Sequence, residues 1–236
     1  MKLGVNVDHV ATLRQARRID VPDPVLAAQI CEGAGCDSIV CHLRQDRRHI
    51  NDKDLDELRK VVKTKLNLEM SCAQEIVDIA LRVKPDQATL VPERREEVTT
   101  EGGLDAAANK KIVRDVVKTL SSAGIAVSLF IDPEKAQIEA AKATGVECIE
   151  LHTGRYANAC TGPEIASELA TLSESARFAR SLGLQVFAGH GLNYENVKEI
   201  TEINDIEELN IGHSIISRAV FVGLENAVKE MLDLIR

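Results

Sequence analysis

Short apolar runs alternate with amphipathic stretches from one end of this chain to the other. The runs Leu3–Asp8, Ser38–Leu43, Leu66–Met70, Gln87–Pro92, Ala126–Ile131, Cys148–His152, Gln185–Ala188 and Glu208–Ile211 read as strands. The stretches between them read as helices with recognisable ends. Asp23-Pro24 and Asp132-Pro133 each place an N-cap residue before a first-turn proline. Asn51 caps a stretch in which Leu55, Leu58, Val61 and Val62 share one face. Thr161, Gly162 and Pro163 open the longest helical pattern, with Ile165, Leu169, Leu172 and Ala176 inward. Gly35, Gly124, Gly145 and Gly183 follow helical stretches and precede strands, where a left-handed residue can end a helix.

Strands alternating with helices, with no linker-like break, predict one α/β catalytic domain over residues 1–236. A closed (β/α)8 TIM barrel with extra helical segments in its loops is favoured over an open doubly wound sheet. The open sheet commonly carries a Gly-rich nucleotide turn, and neither G-x-G-x-x-G nor G-x-x-x-x-G-K-[ST] occurs. Two connections, His9–Asp23 and Glu93–Lys111, are longer than the rest and would lie on the catalytic face. The second holds Thr99, Thr100, Gly102 and Gly103 and reads as a mobile lid.

Composition narrows the function. Aromatics make up only 3% of the chain and Trp is absent, so the core is aliphatic, as strands covered on both faces require. A net charge of −8 argues against a nucleic-acid partner. The chain has no apolar run of membrane-spanning length and no signal-peptide core behind Met1. Its six Cys include no Cys-x-x-Cys pair, so free thiols in a cytoplasmic protein are expected.

In a barrel, the C-terminal ends of the strands converge on one mouth. Those ends offer Asn6, Asp8, His9, His42, Arg44, Glu69, Glu93, Asp132, Glu150, His152, His190 and His213. All six His lie at or just beyond a strand end, His49 being the most distant. Asp132 is more simply a helix cap than a catalyst, and Asn6 and Asp8 could be turn residues. His152 reads equally as a hydrogen-bonded core residue. Glu69 and Glu150 stand inside apolar runs, where a carboxylate must face a polar mouth or be buried at a large cost.

Anion binding has separate signs. Gly189–Gly191 and Ile211–Ser214 put Gly-His pairs after strands seven and eight, where barrels often hold phosphate on backbone N–H groups and a helix N-terminus. Arg14, Arg17 and Arg18, then Arg44, Arg47 and Arg48, then Arg94 and Arg95 gather after strands. At least one Arg per loop is expected to meet an anion, whereas Arg18, Arg48 and Arg95 read as solvated loop charge. No Lys stands at a strand end and no His-x-His occurs, so neither an enzyme-bound Schiff base nor a metal cage is expected. Histidines with carboxylates suggest proton shuttling.

Seven segments resemble the pyridoxine 5′-phosphate synthase family. They are GVNVDHVATLRQAR, HLRQDRRHI, NLEM, LVPERREEVTTEGG, IELHTGRYA, AGHGLNY and LNIGH, spread from the first strand to the last. The resemblance implies condensation of 1-deoxy-D-xylulose 5-phosphate with 3-amino-2-oxopropyl phosphate, without a cofactor or metal. It implies His42 and Glu69 as general bases, His190 as general acid and Glu150 as an aid to proton transfer. Asp8, His9, Arg44, His49 and Thr99 would hold the deoxyxylulose phosphate. Asn6, Arg17, Gly191, Gly212 and His213 would hold the amino-ketone phosphate. It also implies a homo-oligomer, an octamer. The residues alone leave two other readings open: a sugar-phosphate isomerase or epimerase, and a non-catalytic barrel that binds phosphometabolites.

Overall fold

The eight apolar runs form parallel strands that close on themselves, each hydrogen-bonded to its neighbours in chain order and the eighth to the first. The computed structural model describes residues 1–93 and 102–236. Its strands are β1 Lys2–Asn6, β2 Ser38–His42, β3 Lys65–Met70, β4 Gln87–Leu90, β5 Ala126–Ile131, β6 Cys148–His152, β7 Gln185–Gly189 and β8 Glu208–Ile211. Helices α1 Asp8–Arg17, α2 Pro24–Ala34, α3 Asp52–Val61, α4 Gln74–Val83 and α5 Lys110–Ser122 surround the first half. Helices α6 Lys135–Thr144, α7 Gly154–Asn158, α8 Gly162–Ser181, α9 Val197–Thr201, α10 His213–Val222 and α11 Leu224–Ile235 surround the second. The open sheet is thereby excluded.

The local signals act as their chemistry requires. The Asp23 side chain accepts from the Val25 N–H ahead of Pro24. Asn51 and Thr161 form reciprocal capping boxes with Asp54 and Glu164, closing donors the first helical turn would leave unpaired. Gly35 and Gly145 end α2 and α6 in the left-handed conformation, at φ 104° and 95°. Ile165 and Leu169 of α8 are only partly buried, whereas Leu172 and Ala176 pack fully into the core. All six cysteines are unpaired. No helix among the described residues is long and apolar enough to cross a membrane.

Three expectations change. The segment after β1 is not a loop: α1 starts at once, at Asp8. Arg14 is committed inside the protein rather than to the mouth. Its guanidinium is buried and grips both oxygens of Asp54 at 2.6 and 2.7 Å, a bidentate pair that docks α1 on α3. Asp132 does not cap α6, which begins two residues beyond Pro133 behind Glu134, so its carboxylate is free for other work.

The apolar core lies between strands and helices, while the barrel axis is polar. Lys65 donates to both oxygens of Glu208 at 2.8 Å, and Ser38 donates to the same carboxylate at 2.9 Å. Gln87, Thr89 and Asn67 continue this network across β3 and β4. Nearer the mouth, Asn210 donates to Glu150 at 2.6 Å.

Candidate active site

The six histidines meet as three pairs at the C-terminal mouth. His9 of α1 packs edge-on against His213 of α10, with ring centres 5.1 Å apart. His42 at the end of β2 faces His49 at 6.1 Å, and His152 at the end of β6 faces His190 at 5.0 Å. Residues so far apart in the chain come together because the barrel brings every strand end to one rim.

The first three strands build a carboxylate cluster. Asn6 Nδ2 donates to Asp8 Oδ2 at 3.0 Å and to Glu69 Oε2 at 3.4 Å. Asn6 Oδ1 in turn accepts the Asp8 N–H, and Asp8 Oδ1 accepts the His42 N–H, both at 2.8 Å. Asn6 and Asp8 are therefore more than turn residues. One ligand atom each from Asp8, His42 and Glu69 lies within 4.8 Å of the others, a spacing that could admit a divalent cation. Asp8 already accepts from two protein donors, which suits the cluster better to carrying protons.

Burial and neighbouring charge set the protonation states. Enclosure, reinforced by the negative charges of Glu150 and Asp8, holds the Glu69 carboxyl well above the usual range. Burial also raises Asp8, although His49 and the His42 N–H oppose it. It pushes Glu150 up to about 7, against the hydrogen bond from Asn210. The imidazoles move the other way: burial takes His42 down to about 3 and His190 down to about 4, and lowers His9.

Glu150 yields a stability test. The folded protein holds the proton more tightly than the unfolded chain does. Its stabilising effect is complete below the ordinary value of 4.5 and is lost as pH rises to about 7. Glu150→Gln removes that penalty. We expect its Tm to match the parent at the acid end and to exceed it above neutrality by roughly 5 °C. Thermal unfolding across pH checks the crossover.

The remaining expected residues divide clearly. Arg44 is buried beside the cluster, and Gly212 stands against Asn6 as the residue before α10, whose N-terminus carries no side-chain cap. Gly191 follows His190 at the rim with φ 79°. Arg17 is exposed at the far end of α1, roughly 13 Å along the helix from Asp8, and no contact joins it to the mouth among the described residues. Arg47 is engaged by Asp52 and Glu75, and Arg48 by Asp46, so neither stands as an open anion clamp. Glu93 accepts the Gln45 N–H at 2.8 Å. Thr99, Thr100, Arg94 and Arg95 fall in the 94–101 stretch of the expected lid, which lies outside the described residues. Asn210 was not among the expected site residues. A lone Asn in the strand ELNI gives no sign that its partner lies 60 residues away.

Fold and site together define a class: a (β/α)8-barrel enzyme with a proton-handling mouth of histidines and enclosed carboxylates. The family follows from comparison. The family profile described as "Pyridoxal phosphate biosynthesis protein PdxJ" matches residues 3–236. A pyridoxine 5′-phosphate synthase of Synechocystis sp. is 57% identical over 232 residues, covering 98% of this chain and 96% of its own. That of Pelobacter propionicus is 55% identical over 235 residues, covering 100% and 98%. The chain belongs to the PdxJ family. Among solved structures, 3-hexulose-6-phosphate synthase superposes with a TM-score of 0.68 at 15% identity, covering 100% of both chains. A phosphoribosylanthranilate isomerase from Thermotoga maritima gives 0.61 at 12% identity, covering 100% of this chain and 98% of its own. These two likenesses concern the fold alone.

Proposed function

We infer that this chain is a pyridoxine 5′-phosphate synthase that condenses 1-deoxy-D-xylulose 5-phosphate with 3-amino-2-oxopropyl phosphate, releasing phosphate and water. The observation that carries the reading is the Asn6–Asp8–Glu69 cluster beside His42, within a chain of the PdxJ family. Imine formation, enolisation, phosphate loss and ring closure each need a proton moved at a fixed point. The amine comes with a substrate, in keeping with C-terminal strand ends that carry no Lys.

Glu69 and His42 act as general bases. Burial biases Glu69 toward its protonated form; a substrate ammonium or iminium beside it favours the carboxylate, so binding prepares the base. His42 is neutral at neutral pH and has a lone pair to offer. His190 is the general acid: a bound phosphate dianion raises its affinity for a proton and loads it. Glu150 assists proton transfer across the barrel. Asp8, His9, Arg44, His49 and Thr99 hold the deoxyxylulose phosphate. Asn6, Gly191, Gly212 and His213 hold the amino-ketone phosphate, with the uncapped start of α10 receiving its anion; the resemblance gives Arg17 to the same phosphate, although in this chain it stands at the far end of α1 from the mouth.

The protein works as a homo-oligomer, an octamer by family resemblance. Exposed Leu13, Ile19, Val21 and Leu26, with Val220 and Phe221 at the end of α10, supply apolar surface for that assembly. Six unpaired cysteines agree with a cytoplasmic setting. Purified protein given both substrates is expected to release pyridoxine 5′-phosphate and free phosphate, and neither with one substrate alone. Turnover of a single sugar phosphate would instead identify an isomerase or epimerase.

A further inference from the structure

Behind His190 stands a second imidazole that the proposed reaction leaves without a task. His152 ends β6 in register with Gly189 of β7, and its ring lies 5.0 Å from that of His190 at 60°. Its Nδ1 is 2.9 Å from Asp132 Oδ1, just beyond β5. The same carboxylate oxygen accepts the Gly103 N–H at 3.0 Å, so Asp132 is held from a second side. These two bonds, the one to His152 foremost, keep Asp132 below the ordinary carboxylate range. An ionised Asp132 can only accept, so Nδ1 of His152 carries the hydrogen and the neutral ring keeps its lone pair on Nε2.

That Nε2 is buried and has no hydrogen-bond partner among the described residues. Core packing alone would be served as well by a phenyl ring, without an unpaired polar atom in the interior. His190 is meanwhile gripped from both ends. Its backbone stands at φ 83°, a conformation L residues rarely adopt. The Thr153 hydroxyl lies 2.6 Å from the His190 carbonyl and 2.7 Å from that of Gly189, and the Thr153 N–H donates to Gly189 at 2.9 Å. A Cβ on Gly154 would stand 2.5 Å from His152 Nε2 and 3.3 Å from His190 Cδ2, so only glycine lets the two rings sit side by side.

We propose that the Asp132–His152 pair is a positioning unit for His190, holding its imidazole in the orientation from which it delivers a proton. This rests on the reading of His190 as the general acid. His152 serves as the wall against which the His190 ring is set, and Asp132 fixes the tautomer and angle of that wall. The arrangement also tunes charge: burial first, and then the electrostatic influence of the adjacent His152, hold His190 down to about 4. The other groups around the pair are Phe130 of β5, whose ring is 5.2 Å from His152, Glu150 of β6 beneath Gly189, and Arg155 of α7, whose charge reaches Asp132.

The test compares His152→Phe, His152→Asn and Asp132→Asn in the full-length protein, with His190→Asn as reference. Phe keeps the ring and loses both nitrogens; Asn can still donate to Asp132 from the Nδ1 position. Steady-state kinetics with both substrates are read beside an NMR titration of His190 in protein carrying labelled histidine. We expect His152→Phe and Asp132→Asn to lower kcat about tenfold or more with little change in KM. His152→Asn should recover part of that loss, and the His190 titration should move upward in His152→Phe. If His152→Phe keeps its kcat and leaves the His190 titration in place, the pair is only core packing and the proposal falls. Should His152→Phe fail to fold, Asp132→Asn decides, since unchanged kcat there also overturns it. Full activity in His190→Asn would sink the general-acid reading instead, a failure distinct from unchanged kinetics in the His152 and Asp132 variants alone.

Discussion

Glu69→Gln is expected to lower kcat by about 10²–10⁴-fold while each phosphorylated substrate still binds. The substitution keeps the shape of the side chain and an oxygen for Asn6 to donate to, so the cluster at the ends of β1 and β3 should persist. What disappears is the proton. In the free enzyme the carboxyl is half-buried and faces the charges of Glu150 and Asp8; burial and those charges favour its neutral form. An arriving cationic nitrogen reverses that preference, and a gain or loss of one proton becomes easy where both states are nearly balanced. Gln has no second state. Kinetics with both substrates, beside calorimetric titration of each one, separate a lost base from a lost site. A Glu69→Gln enzyme with ordinary turnover would remove Glu69 from the chemistry.

Gly189→Ala should be nearly as damaging, although it changes no polar atom. A Cβ built there stands 2.3 Å from Glu150 Oε1 and 3.0 Å from the carbonyl oxygen of Asn210. The Asn210 carbonyl belongs to the wall of the barrel, in the backbone pairing of β7 with β8. It is therefore the Glu150 carboxylate that must move, away from the Asn210 amide that holds it at 2.6 Å. A displacement of about 1 Å in a reacting group can cost on the order of 10²-fold in rate, and we expect a fall in kcat of about that size. Folding should survive, because the strand end lies at the mouth and the layers beneath it are untouched. A Gly189→Ala variant with unchanged kcat and unchanged Tm would show that the position of Glu150 is immaterial.

The barrel itself was legible because its strands are short aliphatic runs bounded by Gly and Asp, and every one of them reappears within two residues of its expected ends. The missed helix α1 has a physical reason. Its buried face is Asp8, Val10, Ala11 and Arg14, half of it charged, so no apolar period marks it. Arg14 tolerates burial only because Asp54, forty residues on, takes its guanidinium in two bonds, and no local pattern announces that partner. Asp132 was misread for the opposite cause. Asp-Pro is a sound local cap signal, but α6 starts later and the carboxylate serves His152 across the strand instead. The mouth was legible as a set of residue types at strand ends. Its pairings, His9 with His213 or Asn210 with Glu150, join distant parts of the chain and exist only once the barrel closes.

The central claim is that burial and the neighbouring carboxylates bias Glu69 toward its protonated form in the resting enzyme, so that substrate binding is what frees the base. An infrared difference spectrum between the parent protein and Glu69→Gln, taken at about pH 7 without substrate, tests it directly. The account predicts a protonated carboxyl C=O band in the parent that Gln removes, fading as the solution is made alkaline. A difference spectrum showing only the bands of an ionised carboxylate would mean that Glu69 is already a base before substrate arrives, and would contradict the account.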